Sequence, residues 1–302
     1  MGKADITEKT LLDYNDVFAD IVNVLLFNGD RIVQESDLRP TRSKSQYKTD
    51  DGEVHEQERD VSKLIEKQGV IMSLVGFENQ TKQERFMPVR LIGYDGQSYR
   101  SQLLAKGTKR VYPVVSIVLY FGTDHWRYSR HLDEVIDISD NLRAFVSDYE
   151  MKNLYEIAFL TPEQVSMFRS DFRYVADYFV QKRIDHNYKP SPDTIKHVDE
   201  TLKLMSILTG DDRFNRAVKA VPDSRKGGNS MEAILDRIEA RGEARGEARG
   251  KEQGKIIGED NRAIKVYNNC LDRGMSEKDA IAISEISDSA LQRARKGRQN
   301  KV

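Results

Sequence analysis

The feature that most constrains the fold is the run Val114-Val115-Ser116-Ile117-Val118-Leu119-Tyr120-Phe121, closed by Gly122. β-Branched and aromatic residues at almost every position suit a strand covered on both faces, which requires a layered α/β arrangement rather than a half-exposed sheet. A second run, Val70-Ile71-Met72-Ser73-Leu74-Val75-Gly76-Phe77-Glu78, has the same near-continuous apolar character and reads as a second strand buried on both faces. Gln68-Gly69 supplies turn chemistry ahead of it, and residues 61–65 read as its partner strand. Between the two runs, residues 84–105 read as a helix with Met87, Leu91, Tyr94 and Leu103 for one face, although Gly93 and Gly96 weaken its middle. Upstream, residues 10–28 place Leu11, Leu12, Val17, Phe18, Ile21, Val22, Leu25 and Leu26 at three- and four-residue steps, and Asn28-Gly29 closes that helix. Residues 36–57 are polar and read as an extended connection or weak strand.

Downstream, residues 139–183 read as mostly helical, with Thr161-Pro162-Glu163 marking a helix start. Residues 192–208 read as a further helix ended by Gly210, and residues 222–230 as a linker. Gly242, Gly246, Gly250, Gly254 and Gly258 then recur every four residues, accompanied by Arg241, Arg245 and Arg249 and by Glu243 and Glu247. On a helix this period gives a slowly drifting glycine stripe, at a cost of up to ~1 kcal/mol per glycine against alanine. Two readings stay open: a solvated helical spacer stabilised by Glu–Arg pairs, or a face that pairs two helices and makes a homo-oligomer through residues 231–260.

Residues 261–298 read as a last helical unit, with a helix to Arg273-Gly274, an N-cap at Ser276, and Ile281, Ile283 and Ile286 packed on Leu291. A third helix begins near Ser287-Asp288 and ends in Arg293, Arg295, Lys296, Arg298 and Lys301. That segment is either a small helix-turn-helix-like unit touching phosphate or a basic tail. The expected organisation is a core over 1–130, a helical extension over 131–221, a linker and repeat helix over 222–260, and a basic helical tail over 261–302.

Composition narrows the function. A net charge of −1 confines any nucleic-acid surface to a local patch. Cys270 is the only cysteine, which excludes an internal disulfide framework and a cysteine-rich zinc site. His55, His125, His131, His186 and His197 show no ligand spacing with acids or cysteines. Dinucleotide-binding and Walker patterns and a nucleophile elbow are absent. The first residues lack a signal pattern, and no apolar run approaches the roughly 18 residues of a membrane span, so a cytoplasmic chain without membrane contact is expected.

The chemistry concentrates in Arg59-Asp60-Val61 and Phe77-Glu78-Asn79-Gln80. Alternate strand residues share a face, so Glu78 and Gln80 point the same way, and if the two strands pair through the 68–69 turn Asp60 is brought opposite the Glu78 end. Two carboxylates at the rim of a sheet suit a hard divalent cation, which acidifies a bound water and neutralises a phosphate under attack. Gln80 can orient water or a phosphate oxygen but cannot titrate. On spacing alone the same residues also describe a charged strand end.

The order helix–strand–strand–helix–strand resembles the PD-(D/E)xK nuclease core, a mixed central sheet flanked by helices. More closely, the chain resembles the Rpn family of recombination-promoting nucleases, long labelled putative transposases. The residues that carry the resemblance are Asn15-Asp16-Val17-Phe18, Arg59-Asp60-Val61, Phe77-Glu78-Asn79-Gln80-Thr81, the stretch Met87 to Asp95, the stretch Tyr112 to Gly122, and the Arg-Gly-Glu-Ala repeat. The resemblance implies a Mg²⁺-dependent (or Mn²⁺-dependent) DNA endonuclease, with Asp60 and Glu78 in the metal-binding positions and Gln80 in the place of the usual lysine. Asp16 matches the helix acid of that fold, with Asp20 one turn away on the same face as the alternative. Lysine would place a full charge on the transition state where glutamine offers a dipole, so a catalytically weak or inactive DNA-binding and assembly protein on the same fold is the rival reading. Arg90 and Tyr94, four apart on the following helix, either contact phosphate or brace the helix on the sheet.

Overall fold

The computed structural model describes residues 11–41, 45–48, 54–57, 60–105, 107, 109–219 and 230–299. The expected linker over 222–230 lies, but for Ser230, outside the described residues. The chain divides into two compact units, residues 1–236 and 237–302.

The first unit is built on a five-stranded mixed sheet. Helix α1 (Asn15–Phe27) buries Val17, Phe18, Ile21, Val22 and Val24 and ends at Asn28 in the left-handed conformation, as its apolar spacing and the Asn-Gly pair predict. Strand β1 (Leu38–Pro40) forms one sheet edge, and β2 (Ser45–Lys48) pairs with β3 (Val54–Gln57) in a separate hairpin. Strand β4 (Val61–Lys67) runs antiparallel to β5 (Val70–Gln80). Gln68 (φ 51°) and Gly69 (φ 77°) both take positive φ, the two-residue hairpin geometry that glycine favours.

Helix α2 (Met87–Leu104) carries the chain over to β6 (Val114–Tyr120), parallel to β5 with Leu74 opposite Val114 and Gln80 opposite Tyr120. Met87, Leu91 and Tyr94 pack with Val118, Tyr120, Met151 and Leu154 on one face of the sheet. On the other face the rings of Phe18 and Phe77 stack at 4.4 Å. Gly122 is required where it stands, because a Cβ there would collide with the buried Tyr120 ring.

Two sequence expectations change here. The run at 70–78 is not buried throughout: Leu74 to Glu78 are, but Val70, Ile71 and Met72 are exposed, because β6 begins only opposite Leu74. Residues 139–161 are not helical. After α3 (Leu132–Val135) the chain makes a 3-10 turn at Arg143–Phe145, then β7 (Leu154–Glu156), parallel to β6, then a second 3-10 turn at Ile157–Phe159. Three residues are too few to show a period, and β7 is held laterally, with the Val118 N–H donating to the Asn153 carbonyl at 2.8 Å. Helicity begins at α4 (Pro162–Met167), where Thr161 and Gln164 form the reciprocal cap that Thr161-Pro162 announces. Helices α5 (Phe172–Asp185), α6 (Val198–Thr209) and α7 (Asp212–Lys219) complete the helical layer, with Phe172 and Phe179 against Phe121 and with Tyr178, Tyr188 and Phe214 in mutual contact.

Helix α8 (Met231–Asp272) is continuous through the glycine repeat and ends at Arg273-Gly274, where Gly274 has φ 82°. A Cβ added at Gly246, Gly250, Gly254 or Gly258 would meet nothing within 4 Å, and Lys251–Glu247 forms an ion pair of 2.7 Å one turn apart. In the second unit, α9 (Glu277–Ser284) is capped by Ser276, and α10 (Asp288–Gln299) follows. Tyr267, Cys270, Ala280, Ile286, Ala290, Leu291 and Ala294 make the core, with Ile281 packed against it. Ile283, expected inside, is 53 % exposed, because Ala280 and Ser284 take the inward positions of α9. Among the described residues no helix is long and apolar enough to cross a membrane.

Candidate active site

The β4–β5 register sets the site. Val61 lies opposite Phe77, so Asp60 comes beside Glu78. Phe77 points at α1, and alternation turns Glu78 and Gln80 toward the face that α2 covers. Asp60 Oδ2 accepts the backbone N–H of Asn79 at 2.7 Å, which ties its carboxylate to the end of β5. The Gln80 carbonyl accepts the Phe121 N–H at 2.8 Å, which fixes the strand end against the segment after β6.

Glu78 is only 2 % exposed, and a carboxylate so placed needs a counter-charge. It is supplied by Arg90, which α2 carries in its first turn just after Pro88. Arg90 Nη2 donates to Glu78 Oε1 and lies 3.3 Å from Tyr94 Oη, with the guanidinium 6.0 Å from the Tyr94 ring centre. Burial pulls the Arg90 pKa down, but Glu78, then Tyr94 and Asp60, outweigh it and hold Arg90 above its ordinary value. Asp60, Glu78 and Arg90 together carry one net negative charge. The carboxylate oxygens of Asp60 and Glu78 are hard donors, and that chemistry fits a divalent magnesium-type cation.

Residues 61–209 match the family model described as putative transposase, YhgA-like, just under half of the chain. Over that segment the chain is similar to the YhgA-like putative transposases. The description of that family, putative transposase, is that of mobile-element proteins. The matched segment runs from β4 to the end of α6, takes in Glu78, Gln80 and Arg90, and starts one residue after Asp60. No curated protein and no solved structure matches the chain.

The two acids of α1 have distinct places. Asp16 accepts from Lys196 Nζ at 2.7 Å and lies 3.0 Å from His197 Nε2, and the Tyr14 and His197 rings are 3.8 Å apart. Burial raises the Asp16 pKa, but the contacts with Lys196 and His197 prevail and hold it below the ordinary aspartate value. Asp20 is buried and saturated: Arg31 Nη1 reaches it at 2.5 Å, and the backbone N–H groups of Arg169 and Ser170 donate at 2.8 and 2.7 Å. Asp20 therefore clamps the segment after α4 onto α1, and Asp16 joins α1 to the start of α6.

One constellation escaped the sequence reading. His131, Asp133 and Asp148 offer ligand atoms that all lie within 4.8 Å of one another, and His131 Nδ1 is 2.6 Å from Asp148 Oδ2. The pair joins the two ends of the 131–148 loop. No spacing rule flags it, because Asp148 is remote in sequence from the other two. His125 likewise stacks on Phe159 at 3.7 Å and faces Glu156.

Proposed function

We propose that the chain is a Mg²⁺-dependent DNA endonuclease that hydrolyses phosphodiester bonds, in the service of recombination or of a mobile element. One observation carries the reading: Asp60, just before β4, comes opposite the buried Glu78, near the end of β5, and its carboxylate accepts the neighbouring Asn79 N–H at 2.7 Å. The element order α1–β4–β5–α2–β6 supports a PD-(D/E)xK-type core. Asp60 and Glu78 are the residues that would hold the ion, Mn²⁺ serving as well as Mg²⁺. When bound, the ion supplies charge neutralisation at a phosphate and an acidified water. Gln80, on the same face, orients that water or a phosphate oxygen through its amide and takes no proton. Arg90, itself bonded to Tyr94, holds the Glu78 carboxylate from the α2 side.

The rival, a DNA-binding or assembly protein with little or no turnover, draws on the uncharged Gln80 and on the counter-charge that Arg90 already gives Glu78. Supercoiled plasmid nicking in Mg²⁺ separates the two. Wild type should nick, and Asp60→Ala and Glu78→Ala should not. Equal nicking by all three proteins removes the endonuclease assignment, and Mg²⁺ binding that ignores both substitutions removes the metal site as well.

A further inference from the structure

We propose that Arg90 is an exchangeable cation: it neutralises Glu78 while no metal is held and turns to the phosphate under attack once a metal takes its place. The inference rests on the endonuclease reading and names the group that supplies the positive charge Gln80 lacks.

Three observations carry it. Arg90 shares with Asp60 and Glu78 the face of the sheet that α2 covers, and its Nη2 is bonded to one Glu78 oxygen, the kind of atom a divalent cation takes. The Glu78 side chain is 3 % exposed and that of Arg90 38 %, so the pair has one buried and one accessible member, and the accessible member is the one that can move. Arg90 has a second anchor in Tyr94, through Oη at 3.3 Å and the ring face, so release from Glu78 leaves the guanidinium positioned at the site. A metal ion and a guanidinium compete electrostatically for one carboxylate. A guanidinium set free beside a phosphodiester finds two oxygens spaced for its planar fork.

The exchange has a signature that bracing cannot give. If Arg90 only props Glu78 in place, Arg90→Gln leaves Glu78 badly positioned, and both metal affinity and turnover fall. If Arg90 exchanges, the same substitution removes a competitor for Glu78: Mg²⁺ binds more tightly while turnover falls.

The experiment is isothermal titration of Mg²⁺ into the full chain, paired with plasmid-nicking kinetics, for wild type, Arg90→Gln and Arg90→Lys. The expected result is Mg²⁺ affinity raised several-fold in Arg90→Gln, kcat lowered by about 10²-fold with KM changed little, and partial recovery of kcat in Arg90→Lys. Weaker Mg²⁺ binding in Arg90→Gln, or kcat equal to wild type, overturns the exchange while leaving the endonuclease standing. A wild type that neither binds Mg²⁺ nor nicks overturns the endonuclease reading, and the exchange with it. Thermal melting of each variant identifies a substitution that merely unfolds the chain; in that event Tyr94→Phe, which loosens the second anchor, must lower kcat without weakening Mg²⁺ binding, and an unchanged kcat refutes the proposal.

Discussion

Asp20, on α1, and Glu78, on β5, are both buried carboxylates, and they differ in what answers their charge. Asp20 is held by two donors that cannot leave, the backbone N–H groups of Arg169 and Ser170, in addition to the Arg31 guanidinium. Glu78 is met by a flexible guanidinium from another helix, more than a third exposed. A carboxylate saturated by backbone donors is a structural clamp. One balanced by a side chain can exchange that partner for a metal or a substrate.

Substitutions break or sharpen this contrast. The largest effect is expected from Glu78→Ala, which should lower the nicking rate by ~10³-fold or more while changing the urea midpoint little, because the released Arg90 reaches water. Asp20→Ala should do the reverse. It strands Arg31 and two backbone donors, and the expected loss is about 3 kcal/mol of unfolding free energy by urea titration. Asp171 is a clamp with two donors, since its carboxylate accepts the backbone N–H groups of Lys196 and His197; Asp171→Ala should cost about 2 kcal/mol. Thr161 holds a single donor, the Gln164 N–H, and Thr161→Ala should cost about 1 kcal/mol. Equal losses for Asp20, Asp171 and Thr161 would contradict the grading by number of fixed donors.

The smallest effect concerns pH. The Asp16 pKa lies below the aspartate reference of 3.8 because Lys196 and His197 outweigh burial. A folded-state pKa below the unfolded one adds stability that is present above the unfolded value and lost as pH falls through the folded one. The stability gap between wild type and Asp16→Asn should therefore be full at pH of about 6 and shrink below about 4. A gap that grows on acidification would refute the role of that contact.

Much of this was legible in the sequence, and the exceptions share a cause. The periods of α1, β4, α2 and β6 announce themselves, because each buries enough side chains to impose a pattern. The turn at Gln68-Gly69 brings Asp60 to the Glu78 end of β5, but the exact pairing was not legible: it is set by a register shift between Ile65 and Glu66, without which Asp60 would face Phe77. β7 was not legible, because three residues held sideways by β6 leave no period. The choice between Asp16 and Asp20 was not legible either. They lie one turn apart on α1, and what separates them is Arg169 and Ser170 for one and Lys196 and His197 for the other, about 150 and 180 positions along the chain. Arg90 stood between bracing and phosphate contact in the sequence. The structure adds its bond to Glu78, its exposure and its anchor on Tyr94, the three facts from which the exchange is inferred.

The central claim, that Asp60 and Glu78 form a metal site, is tested most directly by a crystal structure grown with Mn²⁺ and read by anomalous scattering. The account predicts a peak between the two carboxylates, with Arg90 displaced from Glu78. Strong Mn²⁺ peaks elsewhere, with none between Asp60 and Glu78 and with the Glu78–Arg90 pair intact, would contradict it.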